Sequence, residues 1–249
     1  MDLIESVRSG FEKKDFTVIS IAVATFVVII TVVLYWIVGR RRNLQRGVLM
    51  VGLSGAGKTL LFSRLVASKN VETYTSMKEN SSSIKVPNKG VLKLIDLPGN
   101  ERLRSKYLDE FKSCARGFIF VIDSLSFSRE IRDVAELLYT VLSERVVSHN
   151  CPPFLIVCNK QDETMAKSSK VIQSQLEKEI NMLRVTKNAM LDSTDDTGNN
   201  NTYLGRQGKD FQFADLKPVF VEFAESIARE SVNNEIYIKA VSEWLCKIA

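Results

Sequence analysis

The sequence predicts an α/β domain, a mostly parallel sheet flanked by helices, preceded by one membrane-spanning helix. Three observations carry that prediction. From Gly47 onward, short apolar runs alternate with longer helical patterns, the rhythm of parallel strands joined by right-handed crossovers. The loop Gly52-Leu53-Ser54-Gly55-Ala56-Gly57-Lys58-Thr59 lies between the first of those strands and the first of those helices. Residues 16–38 form an uncharged, largely apolar run of 23 positions.

Taken in order, residues 1–15 are a short polar segment and residues 16–38 a candidate span. At about 1.5 Å rise per residue such a helix is roughly 35 Å long, enough for a hydrocarbon core of about 30 Å. A signal peptide would have a shorter apolar core and a small-residue cleavage site. Here Tyr35-Trp36-Ile37-Val38 runs instead into the basic segment 39–46, with Arg40, Arg41, Arg42 and Arg46. The aromatic pair suits a membrane interface, and the arginines suit a cytosolic stop facing anionic headgroups. Before residue 16, Arg8, Lys13 and Lys14 are outnumbered by Asp2, Glu5, Glu12 and Asp15. The charge bias therefore places residues 1–15 in the lumen and residues 47–249 in the cytosol.

Within 47–249 the strand candidates are Val48–Leu53, Val91–Asp96, Phe118–Asp123, Phe154–Asn159 and Val219–Phe223, with Ser82–Val86 as an antiparallel edge. Most are continuously apolar, as expected of strands covered on both faces. Helical spacing marks Thr59–Ser68, Arg129–Ser148, Met165–Leu183 and Asn234–Ile248. The stretch 192–210 is rich in Asn, Asp, Thr and Gly and reads as a polar loop inserted before the last strand.

Composition narrows the chemistry. The net charge is +5, but four of the surplus bases are the juxtamembrane arginines, so no basic stripe for nucleic acid is evident. His149 is the single histidine, and Cys114, Cys151, Cys158 and Cys246 lack CxxC spacing, which argues against zinc and for free cytosolic thiols. The sequons at Asn80 and Asn200 should stay unmodified on the cytosolic side.

Three loops carry nucleotide chemistry. Gly52, Leu53, Ser54, Gly55, Ala56 and Gly57 form a phosphate cradle of backbone N–H groups at a helix N-terminus. Lys58 can reach the β- and γ-phosphates, and the Thr59 hydroxyl can ligate Mg²⁺. Asp96 closes the Val91–Asp96 strand, where its carboxylate can contact Mg²⁺ through water, and Gly99 can offer its N–H to a γ-phosphate. Asn159-Lys160-Gln161-Asp162 follows the Phe154–Asn159 strand. A carboxylate at 162 accepts from guanine N1–H and its exocyclic amine, whereas adenine presents an unprotonated N1 and no amine there. Lys160 would cover the base plane, and Asn159 would tie loops together. GTP or GDP with Mg²⁺ is therefore the expected ligand, with an ATP-dependent transferase as the alternative use of the same cradle.

These motifs resemble the small GTPases of the Ras/Arf superfamily and, within it, the signal recognition particle receptor β subunits. The stretches that carry the resemblance include Thr73-Tyr74-Thr75-Ser76, Leu94-Ile95-Asp96-Leu97-Pro98-Gly99, Phe111-Lys112-Ser113, Gln175-Leu176-Glu177-Lys178-Glu179 and Glu243-Trp244-Leu245-Cys246-Lys247-Ile248-Ala249. The resemblance implies a P-loop small-GTPase fold behind a single-pass anchor at the endoplasmic reticulum. It implies an α subunit as heterodimeric partner, near ribosome and translocon. It also implies Thr75 as the threonine that meets Mg²⁺ and γ-phosphate, with Ser76 next in line, and Ala228 as the backbone donor to guanine O6. In the family pattern a small hydroxyl or thiol residue precedes that alanine, and here Ile227 stands instead. The water-orienting glutamine of Ras-like enzymes is replaced by Asn100, which predicts slow intrinsic hydrolysis. A tethered Arf-like GTPase cycling in vesicle traffic is the rival expectation. Myristoylation cannot supply its anchor, because residue 2 is Asp2.

Overall fold

A computed structural model describes residue 20 and residues 23–33, 47–67, 73–86, 89–191, 203–206, 208–229 and 237–249. The chain divides into two units, Met1–Gln45 and Arg46–Ala249. In the first, residues 23–33 are helical and exposed. Among the described residues no helix is long and apolar enough to cross a membrane. Residues 16–19, 21–22 and 34–38 of the expected span, and the juxtamembrane arginines, lie outside the described residues.

The second unit is a six-stranded sheet in the order β2-β3-β1-β4-β5-β6. Its strands are β1 (Gly47–Val51), β2 (Asn80–Val86), β3 (Gly90–Asp96), β4 (Ala115–Asp123), β5 (Phe154–Asn159) and β6 (Val221–Glu225). Only β2 pairs antiparallel, as the edge next to β3. Every residue of β1 is buried. The alternation explains why: Leu49 and Val51 face one apolar cluster, Val48 and Met50 the other. Helices α1 (Lys58–Ala67) and α6 (Lys239–Ile248) cover the second face through Leu61, Val241 and Trp244. Helices α3 (Phe127–Ser143) and α5 (Ser169–Leu191) cover the first through Val134, Leu138, Ile172, Leu176 and Ile180. Gly117 makes room for the buried Trp244, whose ring lies 3.0 Å from where a Cβ at 117 would be.

Four elements depart from expectation. Helix α2 (Glu101–Phe111) had no apolar signature because it buries only Leu108; Asn100 starts it by accepting the Arg102 N–H. The helix expected over Arg129–Ser148 starts earlier and breaks at Glu144, giving α3 and then α4 (Arg145–Asn150). Glu144 is extended, with its carboxylate held 2.9 Å from Lys112. Helix α5 starts later and runs eight residues past Leu183, and its inner face includes Arg184, 4% exposed. The last helix begins at Lys239; residues 234–236 of the expected range lie outside the described residues.

Arg184 also shows that part of the 192–210 stretch, expected to be a polar loop, packs against the domain. Residues 192–202 are outside the described residues, but Leu204 is buried. The Arg184 guanidinium donates to the carbonyls of Leu204 and Arg206, both at 3.2 Å, and to that of Lys209. Asn181 receives another guanidinium N–H at 2.7 Å and accepts the Phe211 N–H at 3.3 Å. A polar composition hid these contacts because a buried guanidinium, not an apolar side chain, organises the segment.

Candidate functional site: a nucleotide cleft at the carboxyl edge of the sheet

Parallel pairing brings the strand ends together. Met50 is level with Asp96, Val51 with Phe120, Asp123 with Asn159, and Cys158 with Glu225. The loops that leave these ends therefore share one edge, on both sides of the position where strand order reverses at β1.

The loop after β1 is held by close packing. A Cβ on Gly52 would lie 2.3 Å from the Val121 carbonyl oxygen, and Gly57, at φ +86°, would meet Asn159 Nδ2 at 2.4 Å. Glycine is required at both positions. Lys58 is 6% exposed and donates to the Leu53 carbonyl at 2.7 Å. Burial lowers its pKa to about 8, with Arg104 adding to the fall and Asp96 opposing it. Gly99 presses onto the same loop: a Cβ there would lie 2.7 Å from Ser54 N and 2.8 Å from Lys58 Nζ.

Thr59, the second residue of α1, donates to Asp96 Oδ2 at 2.7 Å. Asn80 donates to the same oxygen at 3.2 Å. Asp96 Oδ1 is buried without a partner. Burial pushes this carboxyl above its usual range, against the hydrogen bonds from Thr59 and Asn80 and the charge of Lys58. Two hydroxyls and a buried carboxylate with a free oxygen form an all-oxygen donor set that fits a hard divalent cation such as Mg²⁺. The hydroxyl beside Thr59 belongs to Ser76, at 3.1 Å. Thr75 is exposed, so geometry favours Ser76 over Thr75 in that role. A cavity of about 220 Å³ lies between the phosphate loop, Gly99 and residues 73–76.

The third loop joins the first through Asn159, 2% exposed. Its Nδ2 donates to the Ala56 carbonyl at 3.0 Å, and its Oδ1 accepts from Ser226 Oγ at 3.0 Å and Ala228 N at 3.3 Å. The Ala228 N–H, expected to be aimed at guanine O6, is thus directed at Asn159. Lys160 takes a left-handed conformation, φ 64°, and its ammonium lies 2.6 Å from Asp123 Oδ2. Burial raises the Asp123 pKa, but Lys160 and the N–H groups of Leu125 and Ser126 bring it below the usual value. Gln161 Nε2 donates to Ser124 Oγ and to the Lys167 carbonyl, both at 2.9 Å. Asp162 Oδ1 is buried with no hydrogen-bond partner. An unpaired carboxylate oxygen in such a place matches a ligand with N–H donors.

Sequence reasoning missed Asp123, Asn80 and Arg64. Asp123 could have been suspected from its place at the end of a strand. Arg64, 6% exposed, donates to the Ala228 carbonyl at 3.3 Å, and nothing in its spacing signals that contact. Asn100, at the expected water-orienting position, directs Oδ1 to the Arg102 N–H at 3.0 Å and serves as a helix cap.

Comparison with known proteins agrees with this fold. The family model for the signal recognition particle receptor beta subunit matches residues 43–220. The signal recognition particle receptor subunit beta of Rattus norvegicus is 45% identical across 99% of this chain and 93% of its own length. Among solved structures, one of the mammalian SRP receptor is 47% identical, with a TM-score of 0.71, over 82% of this chain and all of that one. The SRb-GTP/SRX complex from Chaetomium thermophilum shares the fold at 22% identity and a TM-score of 0.65, over 81% of this chain and 99% of that one. With the family model spanning most of the sequence and a relative aligned nearly end to end, this chain belongs to the signal recognition particle receptor β-subunit family.

Proposed function

We propose that this chain is a membrane-anchored GTP-binding subunit that holds the receptor's α subunit at the endoplasmic reticulum for co-translational targeting. The observation that carries the nucleotide reading is the unpartnered Oδ1 of Asp162, on a loop that Asn159 ties to the phosphate loop at Ala56 and to the loop after β6 at Ala228. In this reading Gly52, Leu53, Ser54, Gly55, Ala56 and Gly57 surround phosphate oxygens, and Lys58 leaves the Leu53 carbonyl to meet them. Thr59, Asp96 and Ser76 hold Mg²⁺, which neutralises phosphate charge when bound. Asp162 reads the guanine edge, and Lys160, pinned by Asp123, lies along the base plane. Ala228 reaches O6 only if its N–H turns away from Asn159.

Hydrolysis is slow in this reading, because the shorter Asn100 replaces glutamine and its oxygen caps α2. The state of the γ-phosphate then acts as a long-lived setting of the Gly99 and 73–76 loops, and the α subunit binds one setting better than the other. Residues 16–38 form the anchor, with 1–15 lumenal and 47–249 cytosolic, as the flanking charges favour. A neighbour that shares this fold is named as a complex with both GTP and SRX, which accords with a GTP-binding subunit that has a protein partner.

Retention of the α subunit from detergent extract tests the reading. It should depend on GTP in the native chain and be lost in Lys58→Ala. Equal retention with GTP, GDP and no nucleotide would sink it. Competition by ATP as effective as by GTP would favour the transferase reading instead.

A further inference from the structure

Residues 76–80 touch both members of the Thr59–Asp96 pair. Ser76 Oγ lies 3.1 Å from Thr59 Oγ1, and four residues later Asn80 Nδ2 donates to Asp96 Oδ2 at 3.2 Å. Asn80 is the first residue of the edge strand β2, and its pairing partner on β3 is Asp96 itself. The Asp96 carboxylate is fully buried, and both of its hydrogen bonds arrive on one oxygen. Its rotation is therefore set by two donors, Thr59 from α1 and Asn80 from β2, and the other oxygen is left free. A buried carboxylate held by one donor alone could turn about its terminal torsion, which is broad and weakly restrained.

We propose that Asn80 is a positioning residue for Mg²⁺: it fixes Asp96 so that the free oxygen faces the cation, and it ties Mg²⁺ retention to the placement of residues 73–79. The proposal rests on the nucleotide-site reading above. The loop that carries Ser76 leads directly into Asn80, so any partner or nucleotide that moves this loop also acts on the Asp96 carboxylate. Coupling of this kind is reciprocal: whatever Asn80 adds to cation retention, the cation returns to the loop's placement. Removing a residue that orients a metal-contacting carboxylate typically weakens metal affinity by about 10–100-fold.

The test uses the full chain in detergent, loaded with fluorescent GDP, with release followed across a Mg²⁺ series and in EDTA. Asn80→Ala and Asn80→Leu should each raise the half-saturating Mg²⁺ concentration by about tenfold or more. Release in EDTA should match the native chain, since the residue acts through the cation. Ser82→Ala, two residues further along the same strand, should leave the curve in place. An unmoved Mg²⁺ curve in both Asn80 variants overturns the proposal. So does release accelerated as much in EDTA as in Mg²⁺, which would mark a packing defect. A native chain whose GDP release ignores Mg²⁺ overturns the nucleotide-site reading as well, and so separates the two failures.

Discussion

Replacing Lys58 by methionine should stabilise the nucleotide-free protein while abolishing its ligand binding. The side chain is 6% exposed, and burial lowers its pKa from 10.5 to about 8. At pH 7 the folded state therefore carries a penalty of about 3 kcal/mol for keeping this ammonium charged, at about 1.4 kcal/mol per pKa unit. Methionine keeps the length of the chain and removes the charge, but gives up the ammonium's bond to the Leu53 carbonyl, worth about 2 kcal/mol. The net gain is about 1 kcal/mol, or roughly 2–4 °C in Tm for a domain of this size.

The pH dependence fixes the sign. Lys58 binds its proton more weakly folded than unfolded, so between about pH 8 and 10.5 the unfolded chain holds more protons and native stability rises with pH. The advantage of Lys58→Met should be full below pH 8 and should fade as pH climbs toward 10.5. Thermal unfolding of both chains in detergent, without nucleotide, at neutral and alkaline pH reads this directly. Saturating GTP with Mg²⁺ should reverse the order, because only the native chain gains binding free energy. A variant less stable than the native chain at pH 7, or a difference that ignores pH, would refute the reasoning.

Two further outcomes follow from the packing. Gly57→Ala forces a Cβ to within 2.4 Å of Asn159 Nδ2 at a φ of +86°, so it should lower stability by about 1–3 kcal/mol and nucleotide affinity by more than tenfold; calorimetric titration with GDP checks it, and native-like affinity counts against the close approach. Deleting residues 192–202 should leave both GTP affinity and chemical denaturation near native, whereas deletion through Asp210 strips Arg184 of three carbonyl partners and should cost about 2–4 kcal/mol. Equal denaturation midpoints for the two deletions would show that Arg184 is not the anchor.

Much of this molecule was legible in one dimension. Strand identity came from apolar runs such as Phe154–Asn159, because a strand buried on both faces has no freedom to alternate. The three loops were readable because phosphate, cation and purine each demand particular residue types at strand ends, and those demands are local. Helix α2 was not readable, since one buried leucine leaves no period to detect. The break at Glu144 coincides with an ion pair to Lys112, thirty-two residues away in the chain.

The contacts that join the site were beyond reach for the same reason. Asn159 to Ala56, Arg64 to Ala228 and Asn80 to Asp96 span 103, 164 and 16 residues. Whether Thr75 or Ser76 meets Thr59 depends on the path of a loop whose residues have similar side chains and no periodic pattern. Residue type declares what a position can bond. Which partner it finds is decided by sheet register and by the packing of α1 and α5, where chain segments far apart in sequence become neighbours.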